Sequence, residues 1–250
     1  MKNRLDKLLF EHGLAPSRER AQALILAGRV LVNQQKVEKP GASVDDTALL
    51  RVLGEEQRYV SRGGFKLEAA LDRWHIDLSG RRCADIGTST GGFTDCMLQH
   101  GAAGVVAVDT GYGQIAEALR RDPRVSLRER TNARYLEPGE LGPGISFVSM
   151  DVSFISATLV LPAVLDAVRE SRESGVEAVI LVKPQFEAGR EHIGKGGIVH
   201  DPAAHQLAID RVREAARDLG AAGIEVAESP IQGAKGNREF LLYSRFAAIA

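Results

Sequence analysis

Apolar residues recur at helical spacing near the start of the chain and gather into short β-branched runs further along. Leu5, Leu8 and Leu9 share one face, which predicts a helix over residues 4–12 that Gly13 ends. Ser17 suits the N-cap of a second helix, with Ala21, Leu24 and Ile25 as its apolar stripe and Gly28 as its C-cap. Residues 29–33 then read as a strand, Gln34-Gln35 as a turn, Lys36-Val37 as a second short strand and residues 48–53 as a third. Two helices and a few short strands make a compact αβ module with a small core.

Residues 55–65 are polar and carry the pair Gly63-Gly64, the pattern of a linker, and a helix is expected from Lys66 to about Trp74. Beyond it the pattern changes. Strands are expected over residues 83–87, 104–109, 125–130, 145–151, 176–182, 224–229 and 240–246. Helices fall between them, one running through His100 and others over 114–121, 156–170 and 202–219. Alternation of this length predicts an α/β domain with a doubly wound, mostly parallel sheet. The expected plan is a small domain over 1–58, a linker over 59–65 and a large domain over 66–250.

Composition narrows the classes. The start is charged rather than apolar, and no run of eighteen apolar residues occurs, so neither a signal peptide nor a transmembrane helix is expected. Cys83 and Cys96 do not make a disulfide framework and fit a reducing cytoplasm. No Cys/His cluster has metal-ligand spacing, so no metal is expected. The net charge of -1 is unevenly spread, because residues 1–40 hold eight Lys/Arg against four Asp/Glu. A basic N-terminal module on a mildly acidic body fits a polyanion-binding appendage, or merely a solvated helix face.

Two groups of residues carry chemistry. The loop Asp85-Ile-Gly-Thr-Ser-Thr-Gly-Gly-Phe-Thr-Asp95 lies between the first strand of the alternating region and its helix. Gly87, Gly91 and Gly92 let backbone approach a ligand there. The spacing is neither Gly-x-Gly-x-x-Gly nor a Walker loop, which disfavours pyrophosphate. Asp85 suits the cationic amino-acid end of S-adenosylmethionine, and Asp109 ends the second strand, where a carboxylate meets adenosine ribose hydroxyls. The second group is Lys66, Asp151, Lys183 and Glu239. Lys183 follows four apolar strand residues and should reach the sheet's active edge, beside Asp151 at the end of an adjacent strand. Salt bridges at strand ends are the plainer account of each residue taken alone.

Together these features resemble the TlyA family of rRNA 2′-O-methyltransferases, also called hemolysin A-like, with a catalytic domain of the FtsJ/RrmJ type. Arg4-Leu-Asp-Lys-Leu-Leu9, Leu14-Ala-Pro-Ser-Arg-Glu-Arg-Ala21, Ile25-Leu-Ala-Gly-Arg-Val-Leu-Val-Asn33 and Val37-Glu-Lys-Pro40 are similar to an S4 RNA-binding domain. Val60-Ser-Arg-Gly-Gly-Phe-Lys-Leu67, the glycine loop, Met150-Asp-Val-Ser-Phe154, Leu181-Val-Lys-Pro-Gln-Phe186 and Gly236-Asn-Arg-Glu239 are similar to the methyltransferase blocks. The resemblance implies a Rossmann-like methyltransferase sheet behind an S4-type module. It also implies a catalytic tetrad of Lys66, Asp151, Lys183 and Glu239. S-adenosylmethionine would be held by Asp85, Gly87, Ser89, Gly91, Gly92, Phe93, Asp109, Asn132 and Asp151. Arg4, Lys7, Arg18, Arg20, Arg29 and Arg62 are the expected RNA contacts. The substrate implied is a cytidine of rRNA, or of a ribosomal subunit. The start close to the S4 helix resembles the shorter family form, which is associated with the large subunit. The S4 turn reads Asn33-Gln34-Gln35-Lys36 where Asn-Gly is commoner.

The implied reaction is in-line methyl transfer from a sulfonium to a ribose 2′-hydroxyl, with Lys183 accepting the proton. A lysine does so when burial or a neighbouring positive charge, such as Lys66, favours its neutral form. Three other classes compete. A non-catalytic S4-type RNA-binding protein need not keep the tetrad. A pseudouridine synthase would need a mixed sheet rather than a doubly wound one. A cytolysin would need an apolar span or a strongly amphipathic helix, and the sequence offers neither. Binding of S-adenosylmethionine separates them.

Overall fold

The computed structural model describes residues 2–53, 58–168, 175–233 and 235–247. The expected linker residues 55–57 and the expected helix end at 169–170 lie outside them. The chain divides into two compact units, Met1–Arg58 and Tyr59–Ala250.

The first unit runs β1 (Lys2–Arg4), α1 (Leu5–Glu11), α2 (Arg18–Leu26), β2 (Val30–Val32), β3 (Gln35–Lys36), β4 (Ser43–Asp45) and β5 (Leu50–Val52). Ser17 caps α2 as expected, its Oγ accepting from the Arg20 N–H at 3.2 Å. Leu5, Leu8, Leu9, Ile25 and Val30 form the buried centre. Two strands differ from expectation: β1 and β4 pair antiparallel, although Lys2–Arg4 holds no apolar residue and Ser43–Asp45 only Val44. They exist because backbone groups pair, which no side-chain pattern records. The hairpin turn falls on Asn33-Gln34, one residue early, with φ of +48° and +69°. Asn33 tolerates this conformation, and its Oδ1 accepts from the Leu49 N–H at 2.9 Å.

The second unit runs α3 (Gly63–Trp74), β6 (Arg82–Ile86), α4 (Gly92–Gln99), β7 (Gly104–Val108), α5 (Glu117–Arg120), β8 (Val125–Arg128), β9 (Ile145–Met150), α6 (Ala157–Ala167), β10 (Val176–Val182), α7 (Pro184–Glu187), α8 (Pro202–Asp218), β11 (Ala221–Glu228) and β12 (Phe240–Phe246). Among the described residues these strands form one seven-stranded sheet of order β11-β12-β10-β9-β6-β7-β8. It is mostly parallel; β12 runs antiparallel to both neighbours. Residues 59–65 are not a linker. Tyr59 is buried and donates from Oη to Glu68 at 2.9 Å, and α3 starts three residues before Lys66. Gly64 is there for contact: a Cβ on it would lie 2.3 Å from the Tyr59 ring.

Period-two alternation sorts each strand between two cores. Ala84, Ile86, Val106, Val108, Val148 and Met150 pack under α6 and α8. Cys83, Val105 and Phe147 pack under α3 and α4. Strand order reverses between β6 and β9, which opens a crevice at their carboxyl ends.

Candidate active site

Two adjoining cavities occupy that crevice. The first, about 270 Å³, is lined by Gly87, Ser89, Asp109, Thr110, Gln114, Thr131, Asn132 and Asp151, among others. Gly87 is required at its floor: φ is +87°, and a Cβ would sit 2.5 Å from the Asp151 carbonyl oxygen. Asp109 closes the side, its Oδ2 accepting from Ser89 N–H at 2.7 Å and its Oδ1 from Gly111 N–H at 2.6 Å. Each oxygen keeps a lone pair for a ligand. Asn132 accepts from Arg134 N–H at 3.1 Å, which leaves its amide N–H groups for the cavity.

The second cavity, about 380 Å³, contains Lys66, Lys183 and Glu239 in its wall. The four ionisable residues meet there as two pairs. Lys66 Nζ lies 2.5 Å from Glu239 Oε2, and Lys183 Nζ lies 2.6 Å from Asp151 Oδ1. The second pair is not aligned as a hydrogen bond, and Asp151 Oδ1 is buried without a hydrogen-bond partner. The hydrogen bond from Lys183 goes instead to Ser153 Oγ at 2.7 Å. Ser153 and Phe154 line both cavities, so the two adjoin at these residues, and Lys183 in the wall of the second bonds to the shared Ser153.

The family model for FtsJ-like methyltransferases matches residues 59–246, and that for S4 domains matches residues 3–48. The chain belongs to the FtsJ-like methyltransferase family. It is 46% identical over 243 residues to the 16S/23S rRNA (cytidine-2′-O)-methyltransferase TlyA of Mycobacterium tuberculosis, covering 97% of this chain and 89% of the relative. It is 39% identical to Hemolysin A of Brachyspira hyodysenteriae, covering 96% and 98%. A solved structure described as a hemolysin from Streptococcus thermophilus superposes with a TM-score of 0.74 at 44% identity, covering 98% and 89%. No helix among the described residues is long and apolar enough to cross a membrane.

Within this methyltransferase domain several expected ligand residues turn away from the cavity. Asp85 is fully buried on the α4 face of β6, where period two places it with Cys83. Thr94 donates to it at 2.6 Å and Ser149 at 3.1 Å. Burial with only neutral partners pushes its carboxyl up to about 7. Phe93 is a core side chain. Gly91 and Gly92 serve packing: a Cβ would meet Leu119 at 2.3 Å in the first case and Ser61 Oγ at 2.3 Å in the second. Only Gly87, Ser89, Asp109, Asn132 and Asp151 of the expected set face the cleft.

Of the expected RNA contacts, Arg4 and Arg18 both pair with the buried carboxylate of Asp6, at 3.0 and 3.3 Å. Lys7 pairs with Glu11 at 3.5 Å, and Arg29 Nε donates to the Leu53 carbonyl at 2.8 Å. Arg20 is half-buried and Arg62 exposed. Sequence reasoning missed Ser153, Gln114 and Phe154. Phe154 is 93% exposed, holds φ of +65° and leans on Phe186 with ring centres 5.5 Å apart. An aromatic residue directly after the Asp-Val-Ser run is the signal that could have found it.

Proposed function

We propose that the chain moves a methyl group from S-adenosylmethionine to the 2′-hydroxyl of a cytidine in rRNA, with the large subunit as the substrate. One observation carries this reading: the Lys183 ammonium, in the wall of the tetrad cavity, contacts Ser153 and Asp151, which line the glycine-floored cleft. The first cavity suits the donor. Asp109 offers acceptors to ribose hydroxyls, Asn132 an amide to an adenine edge, and Gly87 and Ser89 a floor of backbone. When bound, S-adenosylmethionine supplies a methyl group activated by a sulfonium.

The residues of this chain do the rest. Lys66 and Glu239, paired at 2.5 Å, hold the ribose in the second cavity. Ser153 and Asp151 aim Lys183, which in its neutral form accepts the 2′-hydroxyl proton as the oxygen–methyl bond forms and the carbon–sulfur bond breaks. Asp151 then balances the ammonium so produced. Phe154 offers an exposed face on which a base can stack. The S4 unit supplies backbone affinity through arginines that Asp6 holds in place.

The test is single-turnover methylation of rRNA from both subunits, followed by mapping of 2′-O-methyl groups. A methylated large-subunit cytidine supports the reading. Methyl transfer to a base atom, or none to RNA by a protein that binds the cofactor, refutes it.

A further inference from the structure

We propose that Lys235 binds the phosphodiester on the 3′ side of the target ribose, a site that rests on the 2′-O-methyltransferase reading. The tetrad cavity has four charged groups in its wall: Lys66, Lys183, Lys235 and Glu239. Lys66 is paired with Glu239, and Lys183 with Asp151. Lys235 has no ion pair among the described residues. The cavity is therefore left with one uncompensated positive charge, enough for one phosphodiester anion.

Lys235 is exposed, and the backbone around it is fixed. Asn237 is buried and ties two loops together. Its Oδ1 accepts from Val199 N–H at 2.9 Å, its Nδ2 donates to the Gly197 carbonyl at 2.9 Å, and its own carbonyl accepts from Gly233 N–H at 2.9 Å. These bonds bring the two loops together, and the Lys235 ammonium lies 3.9 Å from where a Cβ on Gly197 would be. Gly196 and Gly197 both hold positive φ, +81° and +82°, and Gly197 presents bare backbone beside the ammonium. At Gly197 the loop offers an anion backbone rather than a side chain.

Ribose chemistry selects the phosphate. The carbon bearing the 2′-hydroxyl is bonded to C3′, which carries the 3′ phosphodiester. A 2′-oxygen placed at Lys183 brings that anion into the same cavity, whereas the 5′ phosphate departs from the far side of the ring. Lys235 thereby sets the rotation of the ribose and presents its 2′-oxygen to the base.

The experiment uses the full-length protein and three rRNA fragments assembled by ligation: all-phosphate, a neutral methylphosphonate 3′ of the target, and the same linkage 5′ of it. Binding and methyl transfer are measured for the wild type and for Lys235→Gln. The 3′ neutral linkage should weaken wild-type binding about tenfold, the effect of one lost charge-assisted contact. Lys235→Gln should weaken binding of the all-phosphate RNA by a similar factor, and the two changes together should cost no more than either alone. The variant should also lower the slope of log affinity against log salt by about one. S-adenosylmethionine binding should not change, which shows that the variant is folded. Multiplicative effects, or sensitivity at the 5′ linkage instead, overturn the assignment while methylation itself persists. Failure of the wild type to methylate any of the three overturns the underlying reading, and the assignment with it.

Discussion

Asp6 in the first unit and Asp151 in the second are both carboxylates held against cations, and they are held differently. Asp6 is completely buried and fully satisfied: Arg4, Arg18, Gln22 and the Lys7 N–H all donate to it. The Arg4 guanidinium beside it holds its carboxyl well below the usual range. Asp151 has a cation at 2.6 Å, yet the same oxygen accepts no hydrogen bond and borders a cavity. A saturated carboxylate fixes structure. One left short of donors, beside a lysine in a cavity wall, can take a donor from a ligand.

The sharpest way to break that contrast is at Lys183. Lys183→Ala should lower the rate of methylation by about 10²–10⁴, the usual range for loss of a general base. Folding and cofactor binding should survive. Lys183→Arg should not restore activity, because a guanidinium stays protonated. An active arginine variant in single-turnover assays across a pH series would make the pair a structural ion bridge like that of Asp6, with positioning as its only role.

Asp85 extends the contrast to a buried carboxyl whose side-chain donors among the described residues are the hydroxyls of Thr94 and Ser149. Its folded-state pKa of about 7 lies above the unfolded value, so the folded state keeps a proton that the unfolded state loses. Its contribution to stability is therefore greatest at acid pH and declines as pH rises from about 4 to 7, by at most about 1.4 kcal/mol per pH unit. Asp85→Asn should remove that slope from urea denaturation curves. A slope that persists would show that Asp85 is ionised in the folded protein.

Asp6 should behave in the opposite sense. Its depressed pKa gives stability that is present above about pH 4 and lost as pH falls below it. Asp6→Ala should destabilise the first unit by about 1.5–3 kcal/mol, the worth of charge-assisted hydrogen bonds, without changing S-adenosylmethionine affinity. Weakened cofactor binding by that variant would erase the distinction between a structural and a functional carboxylate.

Asp109 stands between the two cases, since it both ties the glycine loop and faces the cleft. Asp109→Ala should weaken S-adenosylmethionine binding by about 1–3 kcal/mol in calorimetry. An unchanged affinity would confine Asp109 to its two backbone hydrogen bonds.

The elements that sequence reveals are those whose information is local. Spacing of Leu5, Leu8 and Leu9 fixes α1, the Ser17 hydroxyl fixes the start of α2, and the β-branched run Val176–Val182 fixes β10, because each depends on backbone period and near neighbours. The order of motifs along the chain likewise singles out Lys66, Asp151, Lys183 and Glu239. Long-range approach decides the rest. Gly91 and Gly92 have the pattern of ligand glycines, but they are small because Leu119 and Ser61 arrive from elsewhere in the chain. Asp85 has the place of a cofactor residue, but one step of strand alternation turns it into the α4 core. How the tetrad divides into Lys66–Glu239 and Lys183–Asp151, and the entry of Ser153 beside the lysine, follow from the juxtaposition of α3, β9, β10 and β12. A sequence states which chemical groups exist and on which element each lies. Only the packing of those elements determines which groups face a cavity, because that requires distances between residues up to 173 positions apart.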